Sequence, residues 1–117
     1  MKLNIYKKEN GKRVIEKTYE AETYDLLFGV LEDVADAIDL DSMQTGSDVE
    51  IVKMVGNLVL KSMSKVRELL LDIFPGISEE EIKRASIQEI ARVLIDVATF
   101  TVLQLKEGLS SKNLTVR

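Results

Sequence analysis

Three Ser-x-x-Glu sequences punctuate this chain, and each stands directly ahead of an apolar run at helical spacing: Ser47–Glu50, Ser78–Glu81 and Ser86–Glu89. In such a box the serine hydroxyl accepts from the third helical amide while the glutamate reaches back to the serine amide. Two amides that a helix start would leave without partners are thereby satisfied. Three helix starts in the C-terminal two-thirds of a short chain commit most of it to helix. The first box predicts a helix over 48–74, with Val52, Val55, Val59, Met63, Val66, Leu70 and Ile73 along one side and Lys53, Lys61, Lys65 and Asp72 along the other. Pro75-Gly76 stops it. The second box opens a short helix over 78–85. The third opens a helix over 87–107, with Gly108 as its C-terminal stop.

Ahead of these lies a further amphipathic stretch, predicted as a helix over 24–40. Thr23 serves as N-cap, and Leu27, Val30, Leu31, Val34, Ala35 and Ile38 form the stripe. The first 20 residues read differently. Leu3 and Ile5 on one side of Asn10-Gly11, and Val14, Ile15 and Tyr19 on the other, predict a two-stranded ribbon around a type I′ turn. A two-residue loop would split these apolar side chains over both faces, whereas a looser loop with a bulge would gather Leu3, Ile5, Ile15 and Tyr19 on one. Two strands alone are marginal, so the ribbon must lie on helices or pair with another chain. The predicted fold class is α+β, mainly helical: an N-terminal β-ribbon followed by about four helices in one domain over 1–108, then a small, polar, flexible tail over 109–117.

With 117 residues, 45% of them apolar, the chain can bury a core without covalent staples. It holds neither cysteine nor histidine, so disulfides, thiolate chemistry and the commonest general base are all excluded. No phosphate-binding glycine loop, dinucleotide fingerprint or nucleophile elbow occurs. The expectation is a protein that is not an enzyme and uses no cofactor. Asp39–Glu50 spans twelve residues between two predicted helices, with acids at its first, third and twelfth positions as in an EF-hand loop. Met43 stands where such a loop needs an oxygen ligand, and Gln44 where it needs glycine, so no metal is expected there. The opening residues lack the apolar core of a signal peptide, and the apolar stretch Val93–Leu105 is too short and too polar to span a bilayer. The expectation is therefore a cytoplasmic protein of a bacterial cell, with no membrane partner.

Charge is sharply segregated. Residues 1–19 carry a net +4, residues 20–50 carry ten acids and no base, and residues 51–117 carry a net +2. The acidic block would repel phosphate backbones, and nucleic acid is not an expected partner. Glu32, Asp33, Asp36 and Asp39 could instead meet Lys7, Lys8 and Arg13 of another copy, which predicts a homo-oligomer. The final helix is apolar almost all round. Such a helix is either central in the core or exposes a stripe, and the candidate partner-facing residues on it are Val93, Val97, Phe100, Thr101 and Gln104.

Two stretches resemble a known family. Lys17–Asp33 (KTYEAETYDLLFGVLED) is similar to the strand-to-helix opening of the tail assembly chaperones of long-tailed phages and prophages of Gram-positive bacteria. Phe74–Ile82 (FPGISEEEI) with Glu89–Val97 (EIARVLIDV) resembles the closing half of the same family. The resemblance implies a small, helical, self-associating protein that binds the tape-measure protein and tail-tube subunits while a tail is built. It also implies a longer product made by ribosomal slippage near the end of the frame, for which Ser111-Lys112-Asn113 is the candidate junction. The alternative is a helical adaptor or regulatory interaction module unconnected with tails.

Overall fold

Asn10 and Gly11 reverse the chain with φ angles of 54° and 77°, the left-handed pair that a type I′ turn requires. They join β1 (Lys2–Glu9) to β2 (Lys12–Glu20) in an antiparallel ribbon. The computed structural model describes residues 1–37 and 47–115, with side chains through Gln104. Counting back from the tight turn, Tyr6 pairs with Ile15, but Ile5 pairs with Lys17. Glu16 is thus an extra residue, a bulge that shifts the side-chain alternation by one. Its effect is to place Leu3, Ile5 and Tyr19 together in the core while Ile15 remains outside, 56% exposed. The ribbon therefore combines both sequence alternatives: the loop is tight, and the bulge sits in mid-strand. Ile15 does not join the buried face.

The other edge of β1 is closed by the segment between two later helices. Tyr6 N donates to Arg84 O at 3.0 Å, Asn4 N donates to a Glu89 carboxylate oxygen at 3.1 Å, and Ile5 bridges Ala85. This satisfies backbone groups that an open strand edge would offer to another chain.

After the ribbon a single 3-10 turn (Thr23–Asp25) precedes α1 (Phe28–Ala37). The helix starts later than the sequence predicts because Leu26 is extended, at φ −68° and ψ 133°. Thr23 does not cap it. Only Val30 and Val34 of α1 are fully buried, and Leu27 is left in the connector, 74% exposed.

The predicted helix 48–74 is two helices, α2 (Asp48–Lys61) and α3 (Met63–Ile73), broken at Ser62 with φ −139° and ψ 60°. The stripe alone reads as continuous. The break lets α2 pack on the last helix while α3 packs on α1 and on the next helix. Ile51, Val55, Leu58 and Val59 serve the first contact face and Val66, Leu69, Leu70 and Ile73 the second. Serine tolerates such a break because its hydroxyl competes with the helical backbone. At the end of α3, Ile77 N donates to Phe74 O across Pro75-Gly76, with Gly76 at φ 92°, as a type II turn demands.

The boxes at Ser47 and Ser78 form as the sequence predicts, with both the serine and the glutamate engaged, and the second opens α4 (Glu79–Lys83). The last helix, α5 (Ile87–Thr115), runs through Gly108 rather than stopping there, so Ser111–Asn113 fall within it. Gly108 costs a helix roughly 1 kcal/mol against alanine but does not terminate one unless the next residues turn away. Ile90, Val93, Leu94, Val97, Ala98, Thr101 and Val102 of α5 are buried, a stripe at three- and four-residue spacing. α5 packs on α1, α2 and β1 and is the axis of a single core that includes Leu3, Ile5, Tyr19 and Phe74. The fold is α+β and mainly helical.

Candidate partner-binding surfaces

Val93, Val97 and Thr101, three of the α5 residues that the sequence marks as partner-facing, point into the core and are at most 2% exposed. They cannot meet a partner while α5 is packed this way. Thr101 is polar, yet its hydroxyl donates to Val97 O at 2.8 Å, so its burial leaves no unpaired group. Phe100 is half-buried and Gln104 exposed, although each lies two turns beyond a buried valine, Val93 and Val97, on the same face. Leu103, which the sequence pattern did not single out, is half-exposed.

Tyr24 meets Phe100 edge to face, ring centroids 6.1 Å apart and planes at 85°. Such a pair contributes about 0.5–1.5 kcal/mol beyond area burial. Tyr24 itself is 85% exposed, and Leu27 and Phe28, just along the chain, are 74% and 73% exposed. Beside Phe100 a shallow cleft of about 300 Å³ is lined by Met1, Glu22, Asp96, Phe100 and Leu103, so apolar and acidic side chains share it. Four large apolar side chains thus remain in water: Tyr24 and Leu103 beside the half-buried Phe100 ring, and Leu27 and Phe28 a few residues beyond Tyr24 in the chain. The sequence signal for them was present but ambiguous. Leu27 fits the helical stripe, and only the extended Leu26 leaves it outside.

The charged residues divide as their sequence positions imply. Glu32 and Asp36 of α1 are exposed and Asp33 is half-buried; Asp39 lies outside the described residues. Lys7, Lys8 and Arg13, near the tip of the ribbon, are brought together with Tyr6, Lys83 and Arg84 around an open cleft of about 420 Å³. Lys83 and Arg84 were not anticipated there, because only the pairing of β1 with the α4–α5 junction brings them close. Arg13 lies over the Tyr6 ring, 4.4 Å from its centroid, a cation–π contact. Among the described residues no ion pair joins Lys7, Lys8 or Arg13 to the α1 acids of the same chain.

Arg84 is saturated. It forms a two-pronged contact with Glu80 at 2.9 and 3.0 Å, reaches Glu16 at 2.9 Å and donates to Tyr6 O at 3.1 Å. The carboxylates of Glu80 and then Glu16 raise its pKa above the ordinary guanidinium value. At the opposite side of the ribbon, Tyr19 donates to Glu81 at 2.7 Å and Lys17 stands 3.9 Å away. That hydroxyl bond is the main reason the Glu81 carboxyl is held below its usual range; the Ser78 amide and Lys17 act in the same direction. Lys17 is raised, first by its contact with Tyr19 and then by Glu81 and Glu16. Glu89 accepts from the Tyr6 hydroxyl and from Asn4 N, so its two oxygens serve β1 rather than the Ser86 amide that the third box would supply. These carboxylates fasten the ribbon to α4 and α5.

Among the described residues no group of three or more acidic side chains is placed to hold a metal ion. Of the EF-hand-like segment Asp39–Glu50, only Ser47–Glu50 is described, and there Glu50 completes the helix cap. Among the described residues no helix is long and apolar enough to cross a membrane. Comparison with known proteins returns nothing to name the chain by: no family model, no curated protein and no solved structure matches it significantly.

Proposed function

We propose that this chain is a tail assembly chaperone of a phage or prophage, a non-enzymatic protein that covers apolar helical surface on the tape-measure protein and engages tail-tube subunits in the bacterial cytoplasm. The observation that carries it is the run of exposed apolar side chains Tyr24, Leu27 and Phe28 within five residues, tied to α5 by the Tyr24–Phe100 ring contact, with exposed Leu103 lining a cleft beside Phe100. Exposed apolar residues gathered at one place mark an interaction site more often than chance scatter does. Fully covering one such side chain is worth about 1.5–3 kcal/mol, so a few of them suffice for reversible binding. Reversibility suits a factor that must leave when the tube closes. The resemblance of Lys17–Asp33 and Phe74–Ile82 to that chaperone family supplies the identity of the partners.

Self-association belongs to the same proposal. Glu32 and Asp36 stand exposed on α1, while Lys7, Lys8 and Arg13 line a cleft on the ribbon. A head-to-tail contact between these two surfaces would repeat along a rod-like client.

The test is co-purification of the tagged chain with the tape-measure and tail-tube proteins encoded beside it. Phe28→Asp combined with Leu103→Asp should lower tape-measure capture by about tenfold or more, equivalent to 1.4 kcal/mol, without unfolding the chain. Failure of the wild-type chain to retain either protein would refute the chaperone assignment.

A further inference from the structure

A second apolar opening lies at the start of α5. The break at Ser62 turns Met63 out of the stripe, leaving it 57% exposed, and Ile87 faces it from the first turn of α5 with the same exposure. Between them is a groove of about 180 Å³ floored by Val59, Val66, Ile82 and Ile90. That volume is below the roughly 300–1,000 Å³ of small-molecule sites, and it suits aliphatic side chains of a macromolecule instead. Lys83 and Ala85 line both this groove and the basic cleft that holds Lys7, Lys8 and Arg13, so apolar floor and cationic wall form one continuous surface.

The charge there is compensated only in part. Glu16 and Glu80 are engaged by Arg84, and Lys7 has only Glu9, at 3.9 Å. Among the described residues, Lys8 and Lys83 have no carboxylate within ion-pair distance. We infer that this surface docks an acidic amphipathic helix of another protein, its aliphatic residues entering between Met63 and Ile87 and its carboxylates meeting Lys83, Lys8 and Arg13. Charge complementarity selects an acidic occupant, and a groove walled by helices takes anchors spaced three and four residues apart. The backbone groups of β1 beside the groove are already paired with Arg84 and Ala85, which disfavours an added strand. The inference rests on the reading that the chain works by binding proteins, and the docked helix and the α1 acids of a second copy would occupy Lys8 and Arg13 in turn, not together. Its surface is distinct from the Phe100 face, thirteen residues or about 20 Å further along α5.

The probe is a fluorescein-labelled synthetic helix of about five turns, with leucines at positions i, i+3, i+7 and i+10 and glutamates flanking them, titrated with the full chain and followed by anisotropy. Saturable binding is expected, weakened about tenfold or more by Lys8→Glu with Lys83→Glu and by Ile87→Ser, and weakened by salt because the charged contacts are screened. Met63→Ser should act like Ile87→Ser, so one of the pair remains informative if the other disturbs folding, as checked by thermal melting. Phe28→Asp with Leu103→Asp should leave probe binding unchanged while abolishing tape-measure capture, which separates failure of this inference from failure of the chaperone reading. No binding of the probe would overturn the inference. So would equal binding of a probe with serines for leucines, which marks an unspecific anion surface, or of one with lysines for glutamates. If the probe does not bind and the groove substitutions instead dissociate a homo-oligomer, the occupant is a second copy and the inference fails.

Discussion

The two sides of α5 carry similar residues and have opposite fates. On one side Val93, Val97 and Thr101 are sealed into the core; on the other Leu103 meets water, and Phe100, at the edge between them, is half-covered. A helix that is apolar all round contains no internal statement of which side is to be hidden. α1, α2 and β1 together cover one arc of its circumference, and what lies beyond that arc stays available for another molecule. An apolar surplus on a helix therefore leaves open which of its residues stay in water, and those are the ones its neighbours fail to reach.

The largest expected effect breaks the comparison from the inside. Val97→Asp places an unpaired carboxylate where exposure is nil, and it should cost on the order of the whole 5–15 kcal/mol stability of a domain this size. Leu103→Asp should change stability by no more than about 0.5 kcal/mol. Urea denaturation of the two variants is the direct measurement, and comparable losses would show that the outward side is also structural. Glu89→Ala removes the acceptor for both Asn4 N and the Tyr6 hydroxyl and should cost about 3 kcal/mol, since hydrogen bonds to charged groups contribute about 1.5–3 kcal/mol each. Amide exchange should then accelerate at Asn4 and Tyr6 before it does at Val97.

Smaller effects sharpen the boundary. Thr101→Ala should cost about 1 kcal/mol, from one lost hydroxyl bond and one lost methyl contact. Tyr24→Ala should cost less than about 1 kcal/mol, because only the edge contact with Phe100 is lost. The smallest effect at neutral pH concerns Glu81, whose pKa is lower folded than unfolded. Its contribution is fully present above the ordinary carboxylate value of 4.5 and is lost as pH falls through the lower folded value. Wild type and Glu81→Gln should therefore differ in Tm above the ordinary carboxylate range and converge as pH falls through the lowered folded value. A gap that persists in acid would mean that the amide's loss of cap geometry, rather than charge, is what the variant reports.

Signals that act within a few residues were legible in the sequence. The Asn10-Gly11 turn, the caps at Ser47 and Ser78 and the stop at Pro75-Gly76 all appear where local chemistry puts them. The cap at Ser86 is instructive because Glu89 could serve either its own helix start or β1, and β1 takes both oxygens. Met63 is the same lesson in packing. Its spacing belongs to a core stripe, and the break at Ser62 turns it into the wall of a groove. The basic cleft was half legible: Lys7, Lys8 and Arg13 lie close in sequence, whereas Lys83 arrives only through the bridge from Ile5 to Ala85.

By itself the sequence determined that this protein is mostly helix behind a short ribbon, that it holds no thiol and no imidazole, and that its charges are sorted into blocks. These follow from backbone propensity, amide satisfaction and composition, each settled within a turn or two of chain. Only the tertiary structure decided which side of α5 is hidden, where the bulge at Glu16 shifts the ribbon's faces, and which apolar side chains remain in water. The physical reason is competition. More apolar surface is on offer than one interior can enclose, and the winners are set by how whole elements pack against each other, which no local pattern encodes.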